Sequence, residues 1–265
     1  MTANANHILF SLTVLLGPAA LALLLSGCGN HPVEHRGIPS GAGGIVAHAA
    51  AGDPAAVQRS LAAGEQAGAR NSHGETALMA AAINGHTQVV RLLVRAGAHV
   101  DDKSRRGNTA LILAARWGHF ETVTMLLEIG AGLRARNKFR FTALMMAAAN
   151  GHTAIVRDLI NKGADPGARN DRGNVALIDA ARFGHTETVM LLLDYGMEIN
   201  ARDNGRNSAL TRAAAEGRME TVRFLLENGA IPGFKDGAGY TALRHAQDMG
   251  YTDIANLIRA AASKK

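Results

Sequence analysis

The chain of 265 residues is short of cysteine and of aromatic side chains. Its one cysteine, Cys28, cannot form an internal disulfide or a zinc site built from several cysteines. Aromatic residues make up only 4% of the chain although 47% is hydrophobic, because the apolar residues are mainly Ala, Leu and Val. A core of such small side chains favours closely packed helices over a β-sandwich or a β-barrel. The ordinary charge and apolar content also excludes a disordered chain.

Catalytic sequence motifs are absent as well. The chain has no G-x-S-x-G, no G-x-x-x-x-G-K-[ST], no H-E-x-x-H and no strand-led G-x-G-x-x-G. We therefore predict that the protein is not an enzyme and has no catalytic residue, cofactor or small-molecule substrate. His31 and His35 are spaced for a metal on one helix face, but the glycines and prolines around them argue against a helix. No metal site is predicted.

The first 27 residues contain no Asp, Glu, Lys or Arg, so the formal charge of +6 belongs to the rest of the chain. Residues 8–25 form an apolar run that Gly17-Pro18 interrupts and that Leu25-Ser26-Gly27-Cys28 follows. These last four residues resemble the lipobox of bacterial lipoproteins. The resemblance implies that residues 1–27 are a signal peptide, cleaved before Cys28, whose thiol and new amino terminus are then acylated. An uncleaved membrane anchor is the alternative, because the usual basic residues near the start are missing.

The residues after Cys28 bear on where such an anchor would reside. Gly29 stands where an Asp would signal retention in the inner membrane, so we expect an outer-membrane lipoprotein that faces the periplasm. The inner membrane and the soluble periplasm are the alternatives. Residues 28–44 are rich in glycine and include two prolines, which predicts a flexible tether.

From residue 45 onward the sequence repeats with a period of 33 residues. Glycine recurs without slippage at positions 52, 85, 118, 151, 184, 217 and 250. The repeated text is G-x-T-A-L-x-x-A-A-x-x-G-H-x-x-x-V-x-x-L-L-x-x-G-A, nearly complete in residues 74–98 and 107–131. This text resembles the ankyrin repeat. The resemblance implies an all-α solenoid of about seven repeats over residues 45–262, each with two helices and a projecting β-turn finger. The units begin near residues 45, 71, 104, 137, 170, 203 and 236, and residues 263–265 form a basic tail.

The second unit illustrates the local physics. Thr76 is predicted to cap a first helix that buries Leu78, Ala81 and Ala82, and Gly85 to end it in a left-handed conformation. The second helix is predicted to bury Val89, Leu92 and Leu93 and to stop at Gly97. Two helices of about ten residues cannot bury enough surface alone, so each unit needs its neighbours.

Two sets of polar residues recur or stand out for structural reasons. In the first unit, His48 and Ser60 replace apolar residues of later units, which predicts a polar cap on an exposed end. Histidine follows the helix-ending glycine at positions 86, 119, 152 and 185. We expect these imidazoles to bond backbone groups of the turn, because copies about 8–10 Å apart cannot share one zinc ion.

Basic residues gather at the fingers. One column just before each finger is basic in every copy: Arg70, Lys103, Arg136, Arg169, Arg202 and Lys235. Neighbouring finger positions add Arg105, Arg106, Lys138, Arg140, Arg172 and Arg206. Acidic residues concentrate on second helices, at Glu121, Glu128, Glu187, Asp194, Glu220 and Glu227. This asymmetry favours an acidic partner, although the basic column alone is also compatible with ordinary solvated surface.

Four of the few aromatic residues fall at predicted surface positions of three consecutive units. Trp117 and Phe183 precede helix-ending glycines, and Phe139 and Phe141 lie in the finger between them. Exposed aromatic and arginine side chains dominate binding hot spots, but these rings could instead be covered by neighbouring repeats. The predicted partner-binding residues are Arg105, Arg106, Arg116, Trp117, Lys138, Phe139, Phe141, Arg172, Arg182 and Phe183.

Two arginines occupy a finger position that other units give to glycine. If this position is left-handed, Arg140 and Arg206 each cost about 1–2 kcal/mol, unless Gly205 absorbs the second by a one-residue shift.

These observations predict a monomeric interaction module of the cell envelope that binds an acidic protein and no nucleic acid. Exported bacterial ankyrin proteins include helpers of peroxide defence and neutralisers of secreted toxins, and the sequence does not choose between these roles. The alternative function is an envelope-surface protein whose basic edge binds anionic lipid, lipopolysaccharide or peptidoglycan.

Overall fold

A computed structural model describes residues 44–263, which belong to one compact unit. Within these residues the chain forms fourteen helices in seven pairs. The first helices of the pairs are α1 Ile45–Ala51, α3 Ala77–Ile83, α5 Ala110–Trp117, α7 Ala143–Ala149, α9 Ala176–Phe183, α11 Ala209–Ala215 and α13 Ala242–Asp248. The second helices are α2 Pro54–Ala62, α4 Thr87–Arg95, α6 Phe120–Glu128, α8 Thr153–Asn161, α10 Thr186–Asp194, α12 Met219–Glu227 and α14 Thr252–Ala262. The all-α ankyrin-type solenoid predicted from the sequence is confirmed.

A side-chain cap fixes the start of most first helices. The Thr76 hydroxyl accepts a hydrogen bond from the backbone N–H of Met79, as predicted. Threonine or serine does the same in four of the five later units, and Val175 starts the fifth without a side-chain cap. These four caps are Thr109, Thr142, Ser208 and Thr241.

The core lies between the two layers of helices. First helices pack on first helices and second helices on second helices, so each pair contacts the pairs before and after it. Ala81 and Ala82 are fully buried, which lets neighbouring first helices approach closely. The set of residues predicted to be buried on α4 was partly wrong. Because α4 contacts α2 and α6 as well as α3, its buried face is shifted. Val90 is buried together with Val89 and Leu93, whereas Leu92 is only half-buried.

The helix-ending glycines leave a space that the histidine of the next unit fills, and we call each such position a glycine seat. A Cβ atom on Gly118 would lie 2.5 Å from Cε1 of His152, and Gly118 has a φ of +81°. Nε2 of His152 donates to the carbonyl oxygen of Arg116 at 3.0 Å. Burial lowers the pKa of His152, which favours the neutral form of the ring. The same bond, from one unit back to the unit before, is made by His86, His119 and His185. The structural interpretation of these histidines therefore holds, with the preceding unit as acceptor.

The polar residues of the first unit do not simply face water as a cap. Ser60 is buried, and its hydroxyl lies 3.0 Å from Nδ1 of His48. His48 stands where later units have alanine, and Ser60 where they have leucine or isoleucine. A large and a small residue have therefore exchanged places, which keeps the space filled and pairs both polar groups. Glu65 completes this unit by accepting a hydrogen bond from the backbone N–H of Ile45 at the start of α1.

Several sequence predictions fall outside the described residues. They are the signal peptide 1–27, the acylated Cys28, the tether up to residue 43, His31 with His35, and the last two residues of the basic tail. Among residues 44–263, none of the helices has the length and apolar character needed to cross a membrane.

Candidate functional site

The predicted partner-binding residues fall on two opposite edges of the solenoid. One set lies in the fingers, directly before the first helices: Arg105, Arg106, Lys138, Phe139, Phe141 and Arg172. Together with Arg140 and Arg206, which were not among the predicted partner-binding residues, we call this set the finger edge. The other set lies where the first helices end, and we call it the helix-turn edge: Arg116, Trp117, Arg182 and Phe183. A first helix of eight residues such as α5 separates the two by about 12 Å. The structure thus divides what the sequence suggested as one site.

Each finger is a tight turn held at its base by a polar side chain. In the fourth unit, the buried Asn137 accepts hydrogen bonds from the backbone N–H groups of Phe139 and Phe141. Short antiparallel bridges close three other fingers, at Arg70 with Thr76, Arg202 with Ser208 and Lys235 with Thr241. The β-turn fingers implied by the resemblance are therefore present.

Consecutive fingers are joined at their tips by backbone hydrogen bonds. The N–H of Lys138 donates to the carbonyl of Arg106 at 3.0 Å, and the N–H of Asn204 donates to that of Arg172 at 3.0 Å. Asp171 and Phe139 make a longer bond of the same kind at 3.3 Å. The tips therefore form one continuous ridge.

The basic column before the fingers stabilises the stacking of units. The guanidinium of Arg136 donates to the carbonyl oxygen of Arg169, 33 residues later, at 3.0 Å. Arg70, Lys103, Arg169 and Arg202 each reach the backbone of the next unit in the same way. From the sequence, this column was interpreted as partner contact or as ordinary surface. Neither interpretation included a series of hydrogen bonds between successive units.

The cations at the fingertips have no such internal role. Arg105, Arg106, Lys138, Arg140, Arg172 and Arg206 are all exposed. Within residues 44–263, the ion pairs involve Arg70, Arg182, Arg212, Arg244 and His245, and none involves a fingertip cation. The fingertip cations therefore form no ion pair in the part of the chain that the structure describes, and they outnumber the one exposed carboxylate among them, Asp171.

Two of these cations are held in a strained backbone conformation. Arg140 and Arg206 both have a φ of 60°, in the left-handed region that the sequence predicted. The matching glycines of other units, such as Gly107 and Gly173, have φ values of 77° and 74°. Gly205 does not absorb the strain of Arg206 by a shift, because the finger keeps the register of its neighbours.

The helix-turn edge carries two stacked pairs of arginine and aromatic ring. The guanidinium of Arg116 lies 5.5 Å from the centroid of Trp117, and that of Arg182 lies 5.3 Å from the centroid of Phe183. Arg182 also forms a salt bridge of 3.1 Å with Glu216, whereas Arg116 has no ion pair within residues 44–263. The more electropositive of the two pairs is therefore that of Arg116 and Trp117.

The four singled-out aromatic residues are covered to different degrees. Phe139 is 55% exposed and Trp117 is 39% exposed, while Phe141 and Phe183 are half-buried. The prediction of exposed rings thus holds for two of them, and partial cover by the surrounding repeats applies to the other two. Phe120, at the start of α6, is also exposed and was missed because its column holds mainly threonine.

The first-helix surface between the two edges changes character along the solenoid. One column of this surface reads Ala80, Leu113 and Met146 and then becomes ionisable at Asp179, Arg212 and His245. Arg212 pairs with the buried Asp203 at 2.6 Å, and His245 pairs with Asp236 at 2.8 Å. This column was not predicted as functional from the sequence, although its three consecutive ionisable members are visible when the units are aligned at 33 residues.

Asp179 is the least satisfied member of that column. Its side chain is 4% exposed and accepts one hydrogen bond, from the amide of Asn174 at 2.7 Å. Its other carboxylate oxygen has no partner, and neither does Nε of Arg212 in the next unit. Burial raises the pKa of Asp179 to about 6, against the opposing effects of Asn174 and nearby arginines.

Two further observations limit what the surface can do. The described residues contain no group of three His, Cys, Asp or Glu side chains close enough to hold a metal ion. The predicted acidity of the second helices is only partial, because these helices also carry exposed Arg91, Arg95, Arg157 and Arg223. The charge asymmetry of the solenoid therefore comes from the basic finger edge and not from uniformly acidic second helices.

Comparison with protein-family models agrees with this architecture. A model described as ankyrin repeats (3 copies) matches residues 45–137 and 129–203, and one described as ankyrin repeats (many copies) matches residues 210–258. The chain belongs to the ankyrin-repeat family. Ankyrin repeats are protein–protein interaction modules, and proteins built from them are generally non-enzymatic scaffolds. A search of curated proteins gives no match.

Proposed function

We propose that this ankyrin-repeat protein is a lipid-anchored, non-enzymatic binding protein of the bacterial cell envelope. In this proposal Cys28 carries the lipid, the solenoid faces the periplasm, and its concave face docks one acidic protein. The apolar run, the four residues that resemble a lipobox and the glycine-rich stretch after them support the anchor. The repeat family supports a protein as the partner.

The observation that carries the partner site is the stacked pair of Arg116 and Trp117. Trp117 is exposed in a chain with only one tryptophan, and Arg116 adds a charge that no described acid neutralises. Trp117 and Phe183 occupy the same repeat position two units apart, and the shorter Asn150 occupies it in the unit between them. The Asn150 amide donates to the carbonyl oxygen of Met146 in its own helix. A partner side chain entering above Asn150 would contact an arginine-backed ring on either side, which is the composition of a hot spot.

Crosslinking in cells would test the partner site. A photoreactive residue at Asn150 should capture a protein of acidic composition, while the same residue at Arg157, exposed on the outer helix α8, should not. With the captured protein purified, Trp117→Ala should weaken binding by at least tenfold, because hot-spot truncations cost about 2 kcal/mol or more. Equal capture from both positions, or unchanged affinity of Trp117→Ala, would contradict the site.

The anchor is tested separately by the intact mass of the protein recovered from membranes. An acylated chain that begins at Cys28 supports it, and Cys28→Ser should release the protein into the soluble fraction. An unmodified chain that begins at Met1 would contradict it.

A further inference from the structure

The finger edge has a chemistry that the protein-binding site does not use. Its cations project from consecutive turns, and none forms an ion pair within residues 44–263. In contrast, the cations of the helix-turn edge stack on rings or pair with Glu216. A ridge on which unpaired cations outnumber the carboxylates attracts a dense negative surface.

Two of these cations are present although the backbone would be more relaxed without them. Arg140 and Arg206 adopt the left-handed conformation that glycine occupies in neighbouring fingers. Neither side chain donates a hydrogen bond or forms an ion pair among the described residues, so the fold gains no polar contact that offsets the strain. Strained residues tend to persist where another role maintains them, so these two positions favour a role for the arginine charge outside the fold itself.

The ridge also carries one protruding apolar group at its centre. Phe139 is the most exposed aromatic residue of the described chain, and it lies between Lys138 and Arg140 at the tip of the fourth finger. The hydrogen bonds to Asn137 hold the backbone of this turn, and the ring projects from it into solvent. An aromatic ring between cations is typical of segments that enter the headgroup region of a membrane.

We propose that the finger edge docks on an anionic lipid surface. Phe139 enters the interface, and the cations of the third to sixth fingers bind lipid phosphates. The shape of the edge favours a membrane over a protein: the tips form a continuous ridge joined by backbone hydrogen bonds, whereas protein hot spots lie in desolvated pockets. This contact does not depend on an acyl chain at Cys28, although an anchor on the same membrane would raise its effective concentration.

Sedimentation with vesicles tests the proposal on a fragment of residues 29–265. This fragment contains the whole compact unit with its own core and lacks the apolar run and Cys28, which could bind lipid themselves. It should sediment with vesicles of phosphatidylglycerol and phosphatidylcholine, less so as salt is added, and not with phosphatidylcholine alone.

Three variants locate the contact. Phe139→Ala should weaken vesicle binding on the order of tenfold. The double variant Arg140→Gly with Arg206→Gly should weaken it about 25-fold, since each cation near an anionic surface is worth about fivefold. The same double variant should raise the thermal unfolding temperature, so its weaker binding cannot be ascribed to a damaged fold. Trp117→Ala, on the opposite edge, is the matched control and should bind vesicles like the parent.

Other results would overturn the proposal. Equal sedimentation with both kinds of vesicle, or full binding by Phe139→Ala, would show that the finger edge does not enter an anionic interface. Weaker vesicle binding by Trp117→Ala than by Phe139→Ala would move the lipid contact to the helix-turn edge. An acidic protein whose capture requires Phe139 but not Trp117 would make the finger edge a protein site. Since the protein site depends on Trp117 and the lipid site on Phe139, each can fail without the other.

Discussion

At the scale of single residues, the contact between Gly118 and His152 explains why glycine and histidine recur together. The glycine ends a first helix, and the space of its missing side chain is filled by the imidazole of the next unit. The sixth and seventh units use the same seats differently, with Arg218 against Gly184 and Tyr251 against Gly217. The seat thus requires glycine, while its occupant can vary as long as it is long and has a polar or aromatic end.

Replacing Gly118 by alanine should therefore destabilise the protein more than replacing another left-handed glycine. Gly118→Ala meets both a positive φ and the ring of His152, and should cost about 2–4 kcal/mol. Gly130→Ala also has a positive φ but no atom within 4 Å of the new methyl group, and should cost about 1 kcal/mol. Urea unfolding of both variants would measure the difference. Equal losses would show that the ring yields and that the seat is not specific for glycine.

The sequence predicted individual residues well where one position acts alone. The Thr76 cap and the left-handed Arg140 followed from local rules of helix starts and turns. The exchange between His48 and Ser60 was missed, because each substitution looks like a polar cap until the two side chains are known to touch. Pairwise compensation across 12 residues is a tertiary property that column patterns do not contain.

At the scale of elements, the first helices differ in what they present to the fingers. In α3, α5 and α7 the contact position is apolar, and in α9, α11 and α13 it is ionisable. Arg212 and His245 meet finger carboxylates, whereas Asp179 meets only an amide. The helix α9 thus contains a carboxyl group that is buried without a cation in contact, which is costly when it ionises.

The stability of the protein should therefore respond to the ionisation of Asp179. Its pKa of about 6 in the folded state exceeds the ordinary 3.8, so the folded state binds the proton more tightly. Stability from this group is full below pH 4 and is lost as the pH rises through 6. Asp179→Asn should raise the free energy of unfolding by up to about 3 kcal/mol at pH 7, and the gain should shrink towards pH 4.

The pH profile of urea unfolding would measure this effect. Asp171→Asn is the control, because Asp171 is an exposed carboxylate in the finger of the same unit. It should change stability little at either pH. If Asp179→Asn destabilises the protein at pH 7, the carboxylate has a partner that the described contacts do not include.

At the scale of the whole molecule, the period of 33 residues was enough to predict the solenoid, but it did not predict how the units are fastened. The basic column before the fingers bonds forward to the next unit, and the histidines bond backward to the unit before. The sequence does not show which unit each side chain bonds to, because this depends on which backbone carbonyl lies within its reach. The division of the candidate site into two edges was missed for the same reason: register identifies surface positions but not the end of the helix at which they face a partner.

The first unit should keep the protein monomeric by covering the end of the solenoid. A chain that begins at residue 71 lacks α1 and α2 and exposes the face of α3 that α1 covers. We expect it to self-associate, and its denaturant m-value to fall by about a seventh, because stability in stacked repeats is roughly a sum over neighbours. A chain that begins at residue 44 is the control and should stay monomeric. Sedimentation velocity would compare the two, and a monomeric, fully stable chain from residue 71 would contradict a capping role.

The backward bond of the histidines has a consequence for how such a chain can evolve. A gene duplication that copies residues 119–151 in tandem would place the second copy of His119 against Gly118, and would place His152 and His185 against the first and second copies of Gly151. Every junction of the lengthened protein would repeat a contact that the present one already makes. The array can therefore grow or shrink by whole units without a compensating mutation, which leaves the exposed fingertips and helix ends free to diverge.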